Sequence, residues 1–157
     1  KREGAMSKAL LKPTPENLYE NDFYRWTQEQ ARSLSDRRTH ALDAGNLIDE
    51  VESLGRSQRT AIESHLRVLL VHLLKFLVQP QRATPSWRRT LRNQRKEIAW
   101  LLARSPSLQG YPAAILAETY DDAVRRAMQE TSLERDRFPT TLPFTLDQIL
   151  DLDFEPS

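Results

Sequence analysis

A chain of 157 residues with no cysteine carries no disulfide, no cysteine-type zinc site, no iron–sulfur cluster and no thiol nucleophile. Its net charge of +1 predicts no strong nonspecific pull towards nucleic acid or anionic lipid. No apolar run reaches the roughly 18 residues of a membrane span without a charge: even residues 68–78 include His72 and Lys75.

The length suits one domain, which buries about 70% of its unfolded surface and needs no covalent staple. Missing cysteines point to a reducing cytoplasm, and no secretory leader is read at the start. Arginine outnumbers lysine, so some of the charge is suited to partly buried, planar contacts. Residues 1–5, ahead of Met6, read as a remnant foreign to the fold. With Pro13 and Pro15 they make residues 1–15 a mobile tail, and residues 16–157 are expected to form a single helical domain.

From Glu16 the spacing of Tyr19, Phe23, Trp26, Gln30 and Leu34 predicts one helix with one buried stripe. Ser35, Asp36 and the arginines after them predict a break and a short turn. Asn46 is a candidate cap for the next helix, with Leu47, Ile48, Val51 and Leu54 as its apolar side and Gly55 as its stop.

A second helix follows over about 57–78. Ile62, Leu66, Leu69, Leu70, Leu73, Leu74 and Leu77 line it, and Phe76 and Val78 widen the stripe. Only a helix packed on several sides carries so broad an apolar face, so this segment is expected at the centre. Pro80 ends it. Thr84 and Pro85 open a helix whose inner face holds Trp87, Leu91, Gln94, Ile98, Leu101 and Leu102. Pro106, Gly110 and Pro112 mark a loop. The helix of about 112–130 buries Ile115, Leu116, Tyr120, Ala123, Val124 and Ala127. Thr145 and Gln148 have capping-box spacing for a short last helix. No run alternates with a period of two. The predicted fold is all-α, an irregular bundle of five or six helices around the apolar helix at about 57–78.

The chemistry is sparse. His65 and His72 share a helix face but stand about 10 Å apart along it, too far to clamp one metal ion without other ligands. His40 lies in a polar connection. No Glu-x-x-His pair of the kind that builds di-metal sites in bundles occurs, so no metal and no cofactor is expected. Glu50 and Glu52 flank the apolar stripe of their helix, and Arg88 and Arg95 flank that of theirs. The structural reading is a salt-bridge seam between these carboxylates and arginines, with Gln94 nearby. The functional reading is an interior pocket lined by Glu50, His72, Gln94 and Arg95. Opposite Leu91 and Ile98 lie Arg89, Arg92, Asn93, Lys96, Trp100 and Arg104. An aromatic among cations suits a protein interface, or stacking on a nucleic-acid base. The bland alternative is a solvated face on which the last helices cover Trp100 and Lys96 sits against it. No Gly-rich phosphate loop, nucleophile elbow, kinase or dinucleotide signature is present.

Residues 19–30, Tyr-Glu-Asn-Asp-Phe-Tyr-Arg-Trp-Thr-Gln-Glu-Gln, and 46–57, Asn-Leu-Ile-Asp-Glu-Val-Glu-Ser-Leu-Gly-Arg-Ser, together resemble family 29 of the bacterial domains of unknown function. The match continues through His72-Leu73-Leu74-Lys75, Gln79-Pro80, Ser86-Trp87, Gln94-Arg95 and Pro106-Ser107-Leu108, covering residues 19–154. Phe76 stands where the family often has Trp. The resemblance implies a cytoplasmic helical domain and brings no activity or catalytic residue with it.

The expected function is a non-enzymatic interaction or regulatory module that docks a protein or a second copy of itself through Arg89, Arg92, Lys96 and Trp100. The alternative is a hydrolase or metal-assisted enzyme using Glu50, His72 and Arg95. The minor alternative is nucleic-acid binding through the basic helix 85–104. No membrane partner is expected.

Overall fold

The structure, a computed structural model, describes residues 15–156, with side chains from Leu18 onward; of the tail expected over residues 1–15, residues 1–14 lie outside the described residues and Pro15 opens the first helix. The described residues form six α-helices: α1 (Pro15–Asn21), α2 (Phe23–Ser35), α3 (Ala44–Val78), α4 (Pro85–Arg104), α5 (Tyr111–Thr131) and α6 (Leu146–Leu150). Among the described residues there is no strand. The chain divides into two compact units, with the boundary between Leu54 and Gly55.

The first unit comprises α1, α2 and the start of α3. The single helix expected from Glu16 to Leu34 is two, because Asp22 leaves helical geometry at φ −153° and its carboxylate accepts from the Arg25 backbone N–H at 3.0 Å. A short acidic side chain satisfies an orphan amide better as a cap than within a helix. Beyond α2, Arg37 takes a left-handed φ of 54° and a 3₁₀ turn spans Thr39–Ala41, which is the expected break.

Asp43, not Asn46, opens α3. Its Oδ1 accepts from the Asn46 N–H at 3.5 Å and its Oδ2 from the Asn46 side-chain amide at 2.7 Å. Its Oδ2 also accepts from Trp26 Nε1 at 3.1 Å, and its N–H donates to Gln30 Oε1 at 2.8 Å. One carboxylate therefore starts α3 and fixes the buried Trp26. Tyr19 meets Trp26 edge-on at 5.0 Å, and Phe23 stacks on Trp26 at 5.5 Å.

Gly55 is not a stop. The two helices expected on either side of it are one helix of 35 residues. A helical glycine costs about 1 kcal/mol relative to alanine, too little to end a helix whose next turns are firmly packed.

The second unit holds the core. Ile62, Leu66, Leu69, Leu70, Leu73 and Leu74 of α3 are fully buried, the central position expected for this segment. Leu91, Ile98, Leu101 and Leu102 of α4 pack with them, as do Tyr120, Ala123, Val124 and Ala127 of α5 and Ile149 of α6. Pro80 lies one residue beyond the end of α3, after Gln79. Thr84 caps α4 with Pro85 in its first turn, and Thr145 forms the expected capping box with Gln148. No helix among the described residues is long and apolar enough to cross a membrane.

Candidate functional site

The residues expected to form an interior pocket each have other partners. Glu50, in the first unit, accepts from the Tyr19 hydroxyl at 2.6 Å, and this bond pushes the Tyr19 pKa up to about 12. His72, in the second unit, donates from Nδ1 to the Val68 carbonyl one turn back at 2.9 Å and meets Trp87 edge-on. Burial lowers its pKa, and nearby Lys75 adds to the effect.

Arg95 points into the core at 3% exposure. Its Nε donates to the Ile149 carbonyl at 2.8 Å, and Nη1 reaches the Leu152 carbonyl at 3.5 Å. Desolvation lowers its pKa, against the pull of Asp151, Asp153 and Glu155. Gln94 pairs with His65 at 2.6 Å and not with His72. Arg88, expected in a seam with Glu50 or Glu52, pairs with Glu155 at 2.7 Å. Among the described residues, no three of His, Asp and Glu gather as a metal ion requires.

The outer face of α4 is built as the wheel places it. Arg89, Arg92, Lys96 and Trp100 are all exposed along one stripe, because Leu91, Ile98, Leu101 and Leu102 turn the opposite side into the core. Trp100 is 56% exposed, so the last helices do not cover it. Its cation is Arg104, 5.4 Å above the ring, in place of the expected Lys96. Arg92 lies 3.7 Å from Asp153.

A second surface went unread. Phe23, Leu34, Ile48, Val51 and Leu54, all assigned by periodicity to buried stripes, are exposed together with Tyr24. Phe23, Trp26, Leu34, Leu47, Val51 and Leu54 line a groove of about 410 Å³ between α2 and the start of α3. Helical periodicity shows that a face is apolar but not whether this chain covers it. The available signal was their number in a segment of only two short helices.

No curated protein and no solved structure matches the chain. The resemblance seen in the motifs around Tyr19, Asn46 and His72 holds at the level of the whole described fold: over residues 18–155 the chain matches, and it belongs to, the family described as domain of unknown function DUF29.

Proposed function

We propose that this protein is a non-enzymatic interaction module whose working surface is the Arg89–Arg92–Lys96–Trp100 face of α4, and that this face takes an acidic segment of a protein partner. The observation that carries the reading is the exposure of Trp100, at 56%, in line with three cations. A large indole left in water loses solvation cost when a partner covers it, and Trp and Arg dominate the binding energy of most interfaces. Arg104 above the ring favours one orientation of the indole. The flanking guanidiniums and ammonium would pair with carboxylates at the rim and steer their approach.

A protein partner is favoured over nucleic acid by the segment beside α4. Glu155 pairs with Arg88, and Asp153 lies against Arg92, so a phosphate backbone would meet carboxylates as well as bases. The net charge of +1 gives no long-range compensation. The cysteine-free chain supports a cytoplasmic setting.

Selection of short random peptides on the immobilised protein tests this. Peptides rich in Asp and Glu should be enriched, and Trp100→Ala should weaken them at least tenfold, as expected for a hot-spot tryptophan. Lys96→Glu should weaken them too. Peptides without acidic bias, or binding indifferent to Trp100→Ala, would overturn the proposal. Tighter, salt-dependent binding of a single-stranded oligonucleotide would replace it with the nucleic-acid reading.

A further inference from the structure

The apolar face of the first unit is a separate surface, and we infer that it is covered by the same face of a second copy of this chain. Phe23, Tyr24, Leu34, Ile48, Val51 and Leu54 are 49–74% exposed, and they belong to α2 and the first three turns of α3. With about 150–200 Å² for a large side chain in full contact with water, these fractions leave roughly 600 Å² of apolar surface on each copy. That is at the upper limit of the largest patch usual on a monomer, roughly 300–600 Å². Two such faces together bury about 1,200 Å², which reaches the size of a specific interface.

The shape points to self-pairing. The face has both a hollow and projections. The hollow is the groove between α2 and α3, and the projections are Tyr24 and Ile48, which stand outside its lining and are 74% and 58% exposed. A twofold axis lets each copy set its projections into the other's hollow, as an isologous interface requires. Inside the hollow the one carboxylate, Glu50, already accepts from Tyr19, so burial does not strand it.

Light scattering on the full chain, over a range of concentrations, reads the outcome directly. The wild type should move towards twice its 18.2 kDa as concentration rises. Val51→Lys and Leu34→Lys each place a charge in the face at exposed positions, and each should raise the dissociation constant at least tenfold while the helical circular dichroism stays unchanged. Trp100→Ala should leave the dimer intact, which separates this inference from the fate of the α4 proposal. A wild type that stays at 18.2 kDa at every concentration overturns the inference. So does a dimer insensitive to both lysines, or one broken by Trp100→Ala. A first unit that seats an unrelated amphipathic helix while remaining monomeric also overturns it.

Discussion

Replacing Arg95 tests whether it is a structural tie or a member of a reactive pocket. α6 has five residues, too few to hold itself together in water. The carbonyls in the last turn of any helix lack intrahelical partners, and a cation there opposes the negative end of the helix dipole. Arg95 Nε supplies both to the Ile149 carbonyl at 2.8 Å. Loss of that charge-assisted bond costs about 1.5–3 kcal/mol. Truncation to alanine also removes two buried methylenes, at about 0.8 kcal/mol each. Relief of the guanidinium's desolvation returns part of this, all the more because Nη2 is buried without a partner. The expected net cost of Arg95→Ala is about 3 kcal/mol. Arg95→Met keeps the stem and removes the charge, so its cost should be about 1–2 kcal/mol, an orphaned carbonyl less the same relief. Urea unfolding followed by circular dichroism measures both. Hydrogen exchange in Arg95→Ala should speed up first at the amides of Ile149 and Asp151, which donate to Thr145 and Asp147. A loss below about 1 kcal/mol for Arg95→Ala, or an Arg95→Met as stable as the wild type, would refute the tie.

Gly55→Ala should stabilise the protein by about 1 kcal/mol in urea unfolding, because the added methyl meets no atom within 4 Å and the backbone is helical; no gain would mean that α3 departs from helical geometry there in solution. His72 sets a pH dependence. Its folded pKa lies below its ordinary 6.5, so below pH 6.5 the unfolded chain binds the proton more readily. Stability should be flat with respect to this group above that pH and fall as the pH drops from 6.5 towards the folded value, against the opposing charge of Glu130. His72→Gln should remove that slope in unfolding measured from pH 5 to 8. Asp43→Ala removes the cap of α3 and the acceptor of Trp26, with an expected loss of about 2 kcal/mol. Asp43→Asn should recover part of it, and equal losses would show that the charge, not the acceptor oxygen, does the holding.

The second unit was legible in the sequence because its signals agree. Leu66, Leu69, Leu70 and Leu73 widen the stripe of α3 beyond what one neighbour covers, and Pro80, Thr84 and Thr145 punctuate the helices where the chain turns. The first unit was less so. Asp22 and Asp43 outcompete the helical periodicity around them by capping, and which of several nearby polar residues takes that role depends on where Trp26 needs an acceptor. Gly55 looks like a stop in a local window and is absorbed because the packing of Ile62 and Leu66 outweighs its propensity. Helical wheels place Glu50, His72 and Arg95 beside apolar stripes but do not name the partners they bond, Tyr19, Val68 and Ile149, because spacing alone does not rank such partners.

Those partners carry a functional argument. A group that works on a substrate keeps a donor, an acceptor or a titratable proton directed at it, and its pKa is tuned towards the working pH. In this chain the bond to Glu50 moves the Tyr19 hydroxyl away from neutrality, up to about 12. Glu63 likewise accepts from Tyr111 and raises its pKa. Lys75 bonds Glu130 at 3.0 Å and lies 4.6 Å from the Trp87 ring. Each contact joins one helix to another. The side chains still directed at water in concentration are of another kind: aromatics and aliphatics on α2 and α3, and cations around an indole on α4. Both surfaces suit the contacts proposed for them. A charge placed at Val51 should act on self-association, and the loss of Trp100 on the binding of acidic peptides.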